Sequence, residues 1–578
     1  NNLLLTLQSS AEVITISSFF SGANYELNAV MFADGTVWEP ALLKTLVMQT
    51  TDEADNITGY AGDETIQGLN GNDTLRGGDG NDTFNINAKV NELHGEDGAD
   101  TFNIKATVDN ISGGKGDDHF VFFEAGSVGT ASGDEGNDIV DFSKLTTADP
   151  IILNGTKINN VDSVFRVIAN SAYDFTLEAT SGNNIWRIYD FDGSGTAADG
   201  TNDGVVNGIQ FVDFKILKGC EDSDTFTIDT NFTGTIYGVA GNNVFNVNAN
   251  VNTIYGGDEN DSFVLGNSGS VTTLNGGLGT NTLTGRNNNN VWTLTADNTG
   301  SLSTGNTTYI NNFSNIQVLQ GGNAVDIFNL EFSFSGTVKG GAGADIFNVN
   351  AETNILHGED GNDSFRFNSD SNIGSANVIH GGDGNNDIIG RETINTWEIT
   401  STNAGNVNVT SGATYIASFN NIQTLNGGAA ADDFIINASI GTIQSGAGNN
   451  TFYVNTTVGH LQGGADNDHF IFGAAGSAQS IIGAGGVNSL TGRNANNTWN
   501  ITGAHAGNLG VTGAGLYVTN FSNIQNLQGG NSIDIFNINA IAGSVFGNAG
   551  NDQFVFNSNN HAGSATLIDG GADNNILI

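Results

Sequence analysis

Residues 59–85 read GYAGDETIQ, GLNGNDTLR, GGDGNDTFN: three nine-residue units in tandem, without a gap. The shared pattern is G-G-x-G-x-D-x-U-x, with U a large apolar residue. A fixed short period marks a stacked repeat, in which each unit buries its apolar residue only against its neighbours. The glycines let the backbone turn through φ > 0. The eighth residue, Phe, Leu or Ile, points inward and stacks on its equivalents one turn above and below.

Working outward, the signature recurs at Gly77, Gly95, Gly113 and Gly133, in steps of 18, 18 and 20 residues. It returns at Gly219, Gly238, Gly256 and Gly276, at Gly321, Gly340, Gly358 and Gly381, at Gly427, Ser445, Gly463 and Gly483, and at Gly529, Gly547 and Gly570. Eighteen is twice nine, and one solenoid turn of two short strands and two bends needs about that many residues. The expected fold is therefore all-β: a parallel β-roll or β-helix solenoid with 18–20 residues per turn. Over it lies a super-repeat of 102–106 residues. FVDFKILKGC at Phe211 recurs as FSNIQVLQGG at Phe313, FNNIQTLNGG at Phe419 and FSNIQNLQGG at Phe521, and Trp186, Trp292, Trp397 and Trp499 keep the same beat. The blocks around these tryptophans show β-branched alternation and no helical period, so they read as solenoid turns of another type.

The expected organisation is a leader (1–58), a first repeat array (59–142), an irregular block with an acidic insertion (143–218), super-repeats at 219–320, 321–426 and 427–528, and a partial fourth at 529–578. In the leader, LLLTLQ and EVITISSFF read as strands. PALLKTLVMQ reads as a short helix with Pro40 in its first turn and Leu42, Leu43, Leu46 and Val47 on one face.

Charge narrows the function classes. Sixteen Lys and Arg against 61 Asp and Glu give a net charge of −45 over 578 residues. Such a surface repels nucleic acid and anionic lipid and attracts cations. The 35 phenylalanines set the chain apart from acidic disordered tails, and a single cysteine excludes a disulfide framework. No run approaches 18 apolar residues, so no membrane span is expected. No nucleophile elbow, His-x-x-x-His pair or basic cleft is present, and the segment is not expected to be an enzyme.

The sixth residue of the pattern carries the chemistry. In-register turns lie about 4.8 Å apart, so successive Asp residues form a column. Each neighbouring pair repels by about 1 kcal/mol in water and more near a protein surface. A divalent cation between turns reverses that sign, and hard carboxylate and carbonyl oxygens suit Ca²⁺. The candidate ligands are Asp73, Asp82, Asp100, Asp118, Asp138, Asp224, Asp261, Asp326, Asp345, Asp363, Asp432, Asp468, Asp534 and Asp552. Asn stands at the same place in other turns, including Asn243, Asn281, Asn386, Asn450, Asn488 and Asn575. Calcium is expected in the Asp turns and amide hydrogen bonds along the axis in the Asn turns.

GGDGNDTFN resembles the calcium-binding nonapeptide of the repeats-in-toxin (RTX) family of secreted bacterial proteins. The resemblance implies a parallel β-roll holding several Ca²⁺ ions in its turns, export by type I secretion, and folding outside the cell. FFSGANYELNAVMFADGTVWEPALLKTL resembles the haemolysin-type calcium-binding-related segment that often precedes such repeats. The Trp super-repeat resembles tandem units of very large bacterial surface proteins and adhesins. The expected role is an extracellular, calcium-stiffened structural or adhesive rod. Its partners would be calcium, more of the same protein by self-association or continuation, and a cell surface or polysaccharide. Two other classes stay open: a self-assembling surface-layer or filament subunit, and a carbohydrate-active β-helix module, which the scarcity of basic residues disfavours. About 25 stacked turns would make a rod of about 120 Å, and both ends read as internal to a longer pattern.

Other features carry plainer readings. Asp190, Asp192, Asp199 and Asp203 lie in a Gly-rich acidic loop, Arg286, Arg391 and Arg493 read as caps on strand carbonyls or partners of an Asp, and the tryptophans read as core.

Overall fold

The computed structural model describes residues 3–6, 13–19, 27–154, 157–190, 202–367, 373–409, 412–556 and 563–578. The chain divides into two units, Asn1–Gly279 and Thr280–Ile578. In each, pairs of parallel strands wind as a β-solenoid, as the repeat predicts.

In the first unit, Thr83–Ile86, Thr101–Ile104 and His119–Phe122 stack in register, with Phe102 opposite both Phe84 and Phe120. The facing sheet stacks Val90–Asp97, Thr107–Lys115 and Ser127–Glu135. Strand alternation sends Phe and Ile of each TFNI inward and its Asn outward, where Asn103 donates to Asn85 at 3.1 Å. Phe84, Phe102 and Phe120 are fully buried, with ring centroids 5.0 and 5.1 Å apart. The second unit repeats the device with Phe328, Phe347 and Phe365, at 5.0 and 4.7 Å. The tryptophans belong to the same columns: Trp292 stacks on Phe328 at 5.6 Å and Trp397 on Phe434 at 5.7 Å, and both indoles are fully buried.

The Trp blocks are set into the stack as turns of another type, and the structure shows which type. Each folds back on itself as a three-strand antiparallel zigzag within the parallel stack. In one, Asn395–Ser401 pairs parallel with Asp433–Ile436, Thr414–Asn420 pairs parallel with Ser375–His380, and Ala404–Val409 runs antiparallel to its two companions in the zigzag. The chain reverses at a left-handed residue, Asn298, Asn403 or His505, each with φ near 54°. The zigzag consumes half a turn. Within Thr280–Ile578, the strands that follow the Asp turns therefore change sheet at every block. Ile327–Leu330 and Ile346–Val349 lie in one sheet, Asp433–Ile436 and Thr451–Val454 in the other, and Ile535–Ile538 and Gln553–Val555 in the first again. In the first unit two such excursions separate the arrays, one built from Ile151–Asn154, Lys157–Ile158 and Val161–Asp162 and the other from Ile185–Ile188, Gly204–Val206 and Ile209–Val212, and the Asp turns of both arrays feed the same sheet.

The leader forms two hairpins, Leu3–Thr6 with Val13–Ile16 and Val30–Met31 with Val37–Trp38, and the helix Pro40–Val47. The helix forms where expected, but Leu43 alone of its four apolar residues is buried, packing with Leu3 and Phe19. Among the described residues no helix is long and apolar enough to cross a membrane.

Candidate metal centre

Each sixth-position residue sits where a glycine turn meets a strand, and all fourteen predicted aspartates are at most 2 % exposed. One carboxylate oxygen has a fixed partner. Oδ1 accepts the backbone N–H of the equivalent residue one turn back: Asp82 to Asp100, Asp100 to Asp118, Asp118 to Asp138, Asp345 to Asp363, at 2.7–2.9 Å. The ladder runs on through amides, since Asp363 donates to Asn386 Oδ1 at 2.8 Å and Asp468 to Asn488 Oδ1 at 2.9 Å. Glu64 heads the run of four successive aspartates by donating its N–H to Asp82 at 2.7 Å. At the far ends a glutamine completes it: Asn386 and Asn488 donate to Gln423 and Gln525 Oε1 at 2.7 and 2.8 Å.

The second oxygen decides the chemistry. In the Asn turns this place holds an NH₂ that donates to carbonyls of its own turn. Asn450 reaches Gly448 and Ala447 at 2.9 and 3.4 Å, Asn488 reaches Gly485 at 2.7 Å, and Asn575 reaches Gly570 and Ala572 at 2.9 and 3.1 Å. In the Asp turns the same place holds an acceptor. Oδ2 of Asp73, Asp82, Asp100, Asp118, Asp138, Asp345, Asp363, Asp468 and Asp552 is buried without a hydrogen-bond donor. Glycine at the first place makes the space: a Cβ on Gly77 would fall 2.2 Å from Asp82 Oδ2 and 2.7 Å from the Gly95 carbonyl of the next turn. In the turns of Asp82, Asp100, Asp118, Asp345, Asp363, Asp468 and Asp552, Oδ2 and a carbonyl of the next turn border the same gap, and a buried acceptor without a donor costs free energy unless a proton or a cation serves it.

Burial, chiefly, raises these carboxyls above the usual range, with backbone N–H donors opposing and neighbouring carboxylates adding to the rise. Asp82, Asp100 and Asp363 reach about 6, and Asp118 and Asp345 about 7. A cation would return them to the ionised form. Among the described residues no three carboxylates, imidazoles or thiols converge. The donor set is instead one carboxylate per turn with main-chain carbonyls, which fits a hard divalent cation and not zinc. When bound, the ion supplies the positive charge that these oxygens lack.

Asp224, Asp326, Asp432 and Asp534 have a second set of partners that the sequence reading missed: Asn184, Asn290, Asn395 and Asn497, each two residues before a Trp. The recurrent Asn-x-Trp was the available signal. Tyr517 holds Asn497 in place with a 3.0 Å hydrogen bond, and Tyr309 does the same for Asn290. The arginines brace these tyrosines as the carbonyl-cap reading expects. Arg493 lies 4.1 Å from the Tyr517 ring centroid, and its Nε and Nη2 donate to the Gly476 carbonyl at 2.9 and 2.5 Å. In the acidic insertion, Asp192 and Asp199 lie outside the described residues.

A buried, periodic row of single carboxylates and turn carbonyls on a parallel solenoid defines a calcium-binding repeat protein. Comparison with known families agrees. The RTX calcium-binding nonapeptide repeat matches residues 50–85, 230–267, 335–373 and 374–396, and the haemolysin-type calcium binding protein related domain matches residues 2–41. The chain carries RTX calcium-binding nonapeptide repeats. No curated protein matches it.

Proposed function

We propose that the chain is a calcium-stiffened structural segment of a secreted bacterial surface protein, exported by type I secretion and contributing to adhesion or to association with more of the same protein. The observation that carries this reading is the row of buried Oδ2 atoms without a donor, beside Asn turns in which an amide donates to carbonyls of its own turn. Such a chain is destabilised in a calcium-poor cytoplasm and completed outside, where the ion is abundant. The −45 charge keeps it apart from nucleic acid and anionic lipid. The two matched family models are a calcium-binding nonapeptide repeat and a haemolysin-type calcium binding protein related domain.

The test is a circular-dichroism melt in millimolar calcium and in excess chelator at low magnesium. The chelated protein should melt markedly lower or lose its β signal, and an identical melt would overturn calcium dependence. Antibody labelling of intact producing cells, with and without chelator, addresses the surface role. Absence of surface or medium-borne protein would refute it.

A further inference from the structure

The aspartates divide into two kinds of turn. In the kind with a bare Oδ2, the residue at the second place has a left-handed backbone, as in Gly78 at φ 110°, Glu96 at 78°, Gly341 at 101° and Glu359 at 71°; Leu69 in the Asp73 turn is the exception. In the turns of Asp224, Asp326, Asp432 and Asp534 the second place is Cys220, Gly322, Gly428 or Gly530, none of which has a positive φ. The N–H of that residue then donates to Oδ2, at 2.9, 2.6, 3.0 and 2.7 Å respectively. Oδ1 is doubly held by the Asn before the Trp. Asn395 donates its backbone N–H and its Nδ2 to Asp432 at 2.7 and 3.0 Å, and Asn497 does so to Asp534 at 2.9 and 2.6 Å. Three donors thus serve one buried carboxylate, and neither oxygen is left bare.

We infer that the first Asp turn of each later array is a calcium-free clasp: Asp224, Asp326, Asp432 and Asp534 take an Asn side chain and backbone N–H groups in place of the ion, and calcium enters only at the turns that follow. This rests on the proposed calcium-binding reading and divides its sites. The geometry gives a reason for the clasp. A cation needs a coordinating turn on either side, and here the preceding turn is the zigzag, whose edge presents Asn290, Asn395 or Asn497 instead of a glycine loop. The clasp closes the carboxylate column against that neighbour with donors from the protein itself.

The experiment counts calcium bound by the full chain, by equilibrium dialysis and by native mass spectrometry, with circular dichroism in calcium to verify folding. Asp432→Asn and Asp326→Asn are near-isosteric and should leave the count unchanged, whereas Asp345→Asn and Asp363→Asn should each lower it. Loss of calcium at Asp326 or Asp432 equal to that at Asp345 or Asp363 overturns the clasp. A wild-type chain that binds no calcium overturns the broader reading as well, so the two failures are distinguishable. Should the clasp variants fail to fold, amide hydrogen exchange of the wild-type chain in chelator decides. Protection retained at Thr396–Ile399 and Asp433–Ile436 and lost at Ser364–Arg366 supports the clasp, and uniform loss refutes it.

Discussion

Replacing Asn450 by aspartate reverses one donor in the middle of a column while changing almost nothing in shape. Its Nδ2 serves the Gly448 and Ala447 carbonyls and Asp468 Oδ1 at 2.9, 3.4 and 3.0 Å. Without calcium, the new carboxylate leaves these acceptors without a donor, at a cost of about 1–3 kcal/mol. It also places like charges one strand spacing, about 4.8 Å, from Asp432 and Asp468, about 3 kcal/mol per pair at an effective dielectric of 20. Proton uptake limits the electrostatic part to about 4 kcal/mol at pH 7, because an unfolded carboxyl near pKa 3.9 must be neutralised. A net loss of about 5–7 kcal/mol follows, or a fall in Tm of roughly 10–28 °C in a cooperative unit of some 200 residues. In saturating calcium the deficit should close, because the introduced carboxylate recreates the donor set found at Asp345 and Asp363. The assay is paired thermal melts of Asn450→Asp and wild type, in chelator and in calcium. Equal chelated melting temperatures would refute the claim that the amide substitutes for an ion, as would a deficit that calcium does not relieve.

Three further outcomes are expected. In chelator, stability should fall as pH rises from 5 to 8: carboxyls at about 6–7 when folded, against 3.8 in their reference state, hold protons that the unfolded chain has lost, so folding is favoured on the acid side of that window. In saturating calcium protons compete with the ion and the slope should reverse, and melts at the two pH values with and without chelator decide. Phe347→Ala removes a fully buried ring between Phe328 and Phe365 and should cost about 3–5 kcal/mol in denaturant titrations of the calcium-loaded protein; a change under about 1 kcal/mol would contradict the stacked core. Gly361→Ala should destabilise its turn, because φ is 136° and a Cβ would lie 1.4 Å from the Gly343 carbonyl oxygen; unchanged hydrogen exchange at Ser364–Arg366 would show that the turn can be rebuilt.

Turn length, the phenylalanine columns and the Asp ladder were legible because each repeats at short, constant spacing and rests on a single residue type. Glycine before Asp and Phe after it predict the carboxylate's position to the residue. The zigzags were not legible. Parallel and antiparallel strands share the same two-residue alternation, so WEITSTNAGNVNV reads as strand without showing which neighbour it pairs with. The Asn395–Asp432 pair spans 37 residues, beyond the reach of local pattern. Gln423 and Gln525 stood in the quoted FNNIQ and FSNIQ motifs, yet their role as ladder ends depends on turns 37 residues upstream. Expecting one sort of Asp turn had a physical cause as well. Gly427-Gly428 and Gly340-Gly341 look alike in sequence, and the sign of φ at the second glycine separates them.

The half-turn consumed by each zigzag gives these arrays a parity. One block moves the carboxylate ladder to the opposite edge, and two bring it back, as the paired excursions of the first unit do. A tandem array of 102–106-residue copies can gain or lose whole members. Within Thr280–Ile578, losing one copy would transfer every later ladder to the other edge, whereas losing two would leave each where it was. Whatever a ladder faces on its own side is therefore conserved only under even changes in copy number.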